Sequence, residues 1–132
     1  MTESIKALVE RRVAGKSLDA PFYTSDEVFD LDMKAIFAKH WIFVASEPEV
    51  AEPGDALVVN VGTASIIIVR DDEGEIRAFH NVCRHRGVRM IPEGATMIGN
   101  IVCPYHSWTY GLDGKLKFYE HMGEDFKPGC NS

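Results

Sequence analysis

Two short segments carry residues able to ligate a metal, Cys83-Arg84-His85 and, further along, Cys103-Pro104-Tyr105-His106. As a pattern they read C-x-H followed by C-x-x-H. Two thiolates and two imidazoles reach one centre only if two loops bring them together, and both segments carry residues that loops need. Gly87 follows the first pair and Pro104 lies inside the second. A mixed sulfur and nitrogen donor set suits structural zinc, or an iron–sulfur cluster in which two imidazoles replace two thiolates on one iron. Zinc usually spaces its first pair by two to four residues. The tighter C-x-H pair therefore argues for iron and sulfide.

The longer strings Asn81-Val82-Cys83-Arg84-His85-Arg86-Gly87 and Cys103-Pro104-Tyr105-His106-Ser107-Trp108-Thr109-Tyr110-Gly111-Leu112-Asp113-Gly114 resemble the two cluster loops of Rieske non-haem iron oxygenases. That family holds aromatic-ring-hydroxylating dioxygenases and related hydroxylating and N-demethylating monooxygenases. The resemblance implies a mostly β, Rieske-type fold: an antiparallel β sandwich with a cluster-binding subdomain of two hairpin loops, preceded by two N-terminal α-helices. It also implies one [2Fe–2S] cluster per chain, with Cys83 and Cys103 on the inner iron and His85 and His106 on the outer one, near the surface as the electron port. With neutral imidazoles such a cluster is less negative than an all-thiolate one, which raises its potential into a window of about −150 to +300 mV. Phe79 to Gly87 and Met122-Gly123-Glu124-Asp125-Phe126 are most similar to the branch acting on quaternary ammonium compounds such as glycine betaine. Aromatic-ring dihydroxylation is the runner-up.

Several neighbours fit a supporting role. Tyr110 reads as a phenol donor to cluster sulfur, while Tyr105 and Trp108 read equally as cluster neighbours or as ordinary core aromatics. Arg84, Arg86 and Arg89 place positive charge beside a centre that becomes more negative on reduction, and they offer a docking surface for a redox partner. Arg89 reads equally as a solvated surface cation. His80 is taken as a hydrogen-bonding neighbour, His40 as a core or boundary residue, His121 as no ligand, and Cys130 as an exposed thiol. The chain has 3 cysteines, so a disulfide framework is excluded.

The elements that must position the ligand loops are legible from periodicity. Residues 3–14 carry Ile5, Leu8, Val9 and Val13 at helical spacing before Gly15. Residues 18–23 read as extended because of Pro21. A second helix is expected from a Thr24/Glu27 capping box, with Phe29, Met33, Ile36, Phe37 and His40 on one face. Strands are expected at 41–44, 55–61, 65–70, 75–81, 99–102, 108–110 and 115–119, with turns at Asp71-Asp72-Glu73-Gly74 and Leu112-Asp113-Gly114. Both ligand loops then hang from hairpins. Residues 1–40 form a helical extension, 41–122 the Rieske domain, and 123–132 the start of a linker towards a catalytic domain.

The chain has 132 residues, 45% of them hydrophobic, enough for one cored domain. A net charge of −6 argues against nucleic acid or an anionic membrane as partner. No apolar run is long enough to span a bilayer, so a cytoplasmic protein is expected. The sequence holds no carboxylate-and-histidine run resembling the family's mononuclear Fe(II) site, so no catalytic residue is expected on it and that iron belongs to a missing domain. The chain thus looks like the electron-transfer portion of an oxygenase α subunit. A flavin-dependent reductase or ferredoxin would be its donor, and the parent a homo-oligomer, a trimer by resemblance, passing electrons to a neighbouring subunit. The alternative is a stand-alone Rieske ferredoxin.

Overall fold

The computed structural model describes residues 4–120. Expectations for His121, the 122–126 segment, the 123–132 linker and Cys130 lie outside them. The chain divides into two compact units, with the boundary between Phe43 and Val44.

In the first unit, Ser4 caps helix α1 (Ile5–Glu10), its hydroxyl accepting from the Ala7 N–H. Leu8 is the residue α1 buries. Pro21 does not keep its segment extended but opens a single turn, α2 (Pro21–Thr24). Its ring fixes φ near the helical value and its missing N–H costs nothing at a first helical position. The Thr24 hydroxyl donates back to the Ala20 carbonyl, so the expected capping box does not form, and Ser25 precedes α3 (Asp26–Asp32) instead. A π turn (Met33–Phe37) then follows, with the Ala38 N–H bonded to the Met33 carbonyl. One extra residue in a turn rotates everything after it by roughly 100°. The expected apolar face does not form: Val28 is buried, whereas Phe29, ahead of the π turn, and Ile36, Phe37 and His40 are exposed. Residues 41–44 are not a strand, and Trp41 and Phe43 stand in solvent.

The second unit opens with a 3-10 turn (Glu47–Val50) closed by a Ser46/Glu49 capping box. β-Branched runs then build a sheet from β1 (Asp55–Val61), β2 (Ala64–Arg70), β3 (Ile76–His80) and β4 (Gly94–Met97), in the order β3-β2-β1-β4 and antiparallel throughout. β4 was not expected from its sequence. Gly94 and Ala95 have little β propensity, and pairing with β1 supplies what those side chains do not. The second sheet is β5 (Ile101–Val102), β6 (Thr109–Tyr110) and β7 (Leu116–Phe118), in that order.

Both sheets feed one core. Ala56, Val58, Ile67 and Val69 meet Ile91, Ile101, Trp108, Tyr110 and Leu112, with Cys83 and Cys103 among them. Ile67 and Val69 are fully buried, each worth about 1.5–3 kcal/mol by transfer from water. The β6–β7 turn packs against β3 at Gly114, whose φ is +82° and where a Cβ would stand 2.6 Å from the Phe79 ring. Only glycine fits that turn against β3.

The β2–β3 turn is organised by Asp71. Its carboxylate accepts from the Glu73 and Glu75 N–H groups at 3.0 and 2.9 Å and from Arg77 Nε at 2.6 Å. The Arg77 hydrogen bond, helped by those backbone donors and opposed by burial, holds the Asp71 carboxyl below its ordinary value. A depressed folded-state pKa contributes stability that is present above the unfolded value and lost as pH falls through the folded one. Asp71→Asn should therefore lower the melting temperature at neutral pH, and its deficit against wild type should shrink as pH drops below about 4. Thermal melts across that range check this; a pH-independent deficit would contradict it.

Candidate metal centre

The two ligand loops are copies of one backbone turn. In the first, the Cys83 carbonyl accepts from the Gly87 N–H at 2.8 Å, and the Cys83 N–H donates to the Val88 carbonyl at 2.8 Å. In the second, the Cys103 carbonyl accepts from Ser107 at 3.0 Å and the Cys103 N–H donates to Trp108 at 2.8 Å. Closing this turn requires a left-handed residue four places after each cysteine. Gly87 supplies φ +70° and Ser107 supplies +62°. The unequal spacing of C-x-H and C-x-x-H thus lies not in the backbones but in which position of a shared turn carries the imidazole.

The turns place sulfur inside and nitrogen outside. Cys83 and Cys103 are 1% and 2% exposed, while His85 and His106 are half-buried. The two imidazoles meet edge to face with centroids 4.9 Å apart. Trp108, buried, stacks on His85 at 4.6 Å and 8°, so an aromatic from the second loop backs a histidine of the first. Tyr105 is no core aromatic: it is exposed, with its ring tilted against His106 at 3.9 Å.

Tyr110 lies beneath both loops. Its hydroxyl is 3.6 Å from Cys83 Sγ and accepts from the Arg84 N–H at 3.1 Å. That N–H occupies one acceptor position of the phenol oxygen, and the phenol O–H remains within hydrogen-bonding reach of the sulfur. Burial first, then the Cys83 hydrogen bond and the charges of Cys83 and Cys103, push the Tyr110 pKa up to about 12. It stays protonated, as a donor must. Arg84 and Arg86, which flank His85 in the chain, are exposed, while Arg89 sits 3.7 Å from Glu93 in an exposed pair. His80 ends β3, exposed and paired in the ladder with Ile66.

Sequence reading passed over Asn81 except as part of a motif. It is 1% exposed, and a buried amide must satisfy both donors and acceptors, which makes an asparagine between a strand and a ligand loop the signal to follow. Sequence reading also had both loops hanging from hairpins. β5 and β6 do flank the second, but β3 and β4, which flank the first, lie at opposite edges of their sheet.

The donor set fits a [2Fe–2S] cluster. Among the described residues no three His, Cys, Asp or Glu side chains converge on a single ion. A two-iron cluster asks instead for two protein donors per iron, and two buried thiols with two outer imidazoles have that composition. Fold and donors together describe a small domain built to carry an iron–sulfur centre.

The sequence comparisons agree. A model of the Rieske [2Fe-2S] domain matches residues 40–126. The glycine betaine monooxygenase oxygenase subunit of Chromohalobacter salexigens is 46% identical over 125 residues, covering 94% of this chain and 28% of that protein. The crystal structure of the quaternary ammonium Rieske monooxygenase CntA with γ-butyrobetaine superposes with a TM-score of 0.75 at 41% identity, covering 82% of this chain and 32% of that one. Naphthalene 1,2-dioxygenase from Rhodococcus sp. superposes at 0.72 with 37% identity, over 76% of this chain and 23% of the dioxygenase. The chain belongs to the Rieske [2Fe-2S] domain family, and its mostly antiparallel β fold is that of its oxygenase relatives. It spans about a third or less of their length.

The shared turn gives a direct test. A left-handed conformation costs a non-glycine residue roughly 1–2 kcal/mol, partly offset by the entropy glycine loses on folding. Nothing lies within 4 Å of a Cβ built on Gly87, so Gly87→Ala should destabilise by about 1 kcal/mol through backbone strain alone. Ser107→Gly should stabilise by about 0.5–1 kcal/mol. Denaturant unfolding measures both, and equal signs would rule out a common turn.

Proposed function

We propose that Cys83 and Cys103 hold one iron of a [2Fe–2S] cluster and His85 and His106 the other, and that this chain is the electron-relay portion of a Rieske oxygenase acting on a small quaternary ammonium compound. The single observation that carries the ligand assignment is the matched pair of turns, with buried thiols and touching outer imidazoles. When bound, the cluster supplies one-electron transfer at a moderate potential. The chain's own residues do the rest. Trp108 holds the His85 ring flat, Tyr110 offers its proton to Cys83 sulfur, and the core beneath the thiols excludes water. The Arg84 and Arg86 guanidiniums favour the reduced, more negative state and attract an acidic donor.

The wider activity rests on kinship. Identity with the betaine monooxygenase subunit covers 94% of the chain, so it extends into the region ahead of the sheets, which favours an oxygenase over a stand-alone ferredoxin-type carrier. Identity is higher to the quaternary ammonium enzymes than to naphthalene dioxygenase, which favours that substrate class over aromatic rings. The mononuclear iron that activates O₂ would lie in the remainder of such a subunit. A flavin-dependent reductase or ferredoxin would supply electrons, and the outer imidazoles would pass them to a neighbouring subunit of a homo-oligomer, by resemblance a trimer. The CntA structure was described with inter-subunit electron transfer. The described cysteines are free thiols, which suits a reducing cytoplasm, and no described helix is long and apolar enough to cross a membrane.

Reconstituted protein should hold iron and acid-labile sulfide in equal amounts and, once reduced, show the low-average-g electron paramagnetic resonance signal of a Rieske centre. Stoichiometric zinc, or a spectrum of the all-thiolate type, would contradict the assignment. Tyr110→Phe should keep the cluster but lower its potential by roughly 40 mV, the one-electron equivalent of about 1 kcal/mol of hydrogen bonding to the reduced state. Potentiometric titration reads this directly, and an unchanged or raised value would remove Tyr110 from the account.

A further inference from the structure

The first ligand loop has no hairpin to close it. β3 leads into it and β4 leaves it, yet these strands form opposite edges of the four-stranded sheet, so the chain from Asn81 to Glu93 must cross from one edge to the other. The second loop has no such difficulty, because Ile101 and Val102 pair directly with Tyr110 and Thr109 across its base. What stands in for that ladder in the first loop is one side chain.

Asn81 Oδ1 accepts from the Met90 and Ile91 N–H groups, both at 3.0 Å. Its Nδ2 donates to the Ile91 carbonyl at 2.7 Å and to Ser65 Oγ at 3.1 Å. Its own N–H donates to the Ser65 carbonyl at 2.8 Å. The amide thus does for residues 90 and 91 what a neighbouring strand would do, offering an acceptor and a donor in strand-like order. It also ties that clasp to β2. Both ends of the loop are thereby held on either side of the Cys83–Gly87 turn.

We propose that Asn81 is a positioning residue that fastens the base of the first ligand loop and so sets where Cys83 and His85 stand relative to Cys103 and His106. The proposal rests on the ligand assignment above. Asn81 touches no donor atom of that set and acts through the loop backbone. Ser65 belongs to the sheet side of the clasp, and its loss leaves the bonds to residues 90 and 91 in place.

The test compares four variants of the 132-residue chain after reconstitution with iron and sulfide: Asn81→Ala, Asn81→Asp, Ser65→Ala and Val50→Ala. Val50 is 1% exposed and lies outside the core cluster that contains the cysteines, so it reports global destabilisation alone. The readouts are the rate of iron loss to a chelator and the line positions of the reduced-state paramagnetic spectrum. Asn81→Ala should release iron on the order of tenfold faster or more and shift the lines. Asn81→Asp keeps the acceptor for both N–H groups and should fall between it and wild type. Ser65→Ala and Val50→Ala should keep wild-type lines. If Asn81→Ala does not fold, Asn81→Asp carries the comparison, and its matching Ser65→Ala in both readouts overturns the proposal. Asn81→Ala matching Val50→Ala at equal loss of melting temperature also overturns it. A wild-type chain that takes up no cluster sinks the ligand assignment and this role with it; a loaded wild type with silent Asn81 variants sinks only the role of Asn81.

Discussion

Burying two thiols on separate loops, with no bond between them, requires that each loop hold its own cysteine. The structure meets this constraint with a single turn used twice, its cysteine bonded through both carbonyl and N–H and its fourth following residue left-handed. From this turn follow the burial of sulfur, the outward placement of the imidazoles and the crossing of Trp108 onto His85. The sheets serve mainly to bring the two turns into register, and the core beneath them is continuous with the thiols.

The electrostatics follow the same layering. A buried thiolate is costly unless it is paired or hydrogen-bonded, and the chain meets that cost from below with Tyr110 and leaves the cationic side chains outside. The protein carries a net −6 charge, and exposed Arg84 and Arg86, which flank His85 in the chain, are a local exception to that sign. Such a local patch on an acidic protein steers partners by field more than by contact area.

The paired Cys/His motifs and most strands were legible in the sequence because they are local. Cysteine and histidine types at fixed spacing, alternating β-branched runs, and the Asp71 and Gly114 turns each declare themselves within a few residues. What escaped was set by distant partners. β4 is a strand because β1 pairs with it, and the 41–44 run is none although its residues favour one. In the N-terminal region two local signals competed: Thr24 matched a capping pattern, but Pro21 started its own turn and drew the hydroxyl to Ala20. The π turn after Asp32 has no signature we can name in Met33–Phe37. Asn81 was in plain sight, yet its role appears only once β3 and β4 are seen at opposite edges.

The central claim is that paired imidazoles from two copies of one turn complete the outer half of the centre. Pulsed electron paramagnetic resonance of the reduced protein, grown with ¹⁵N-labelled histidine, tests it most directly. The account predicts two inequivalent coupled nitrogens, with one coupling lost on replacing His85 and the other on replacing His106. A spectrum without histidine coupling, or one unchanged by either replacement, would contradict it.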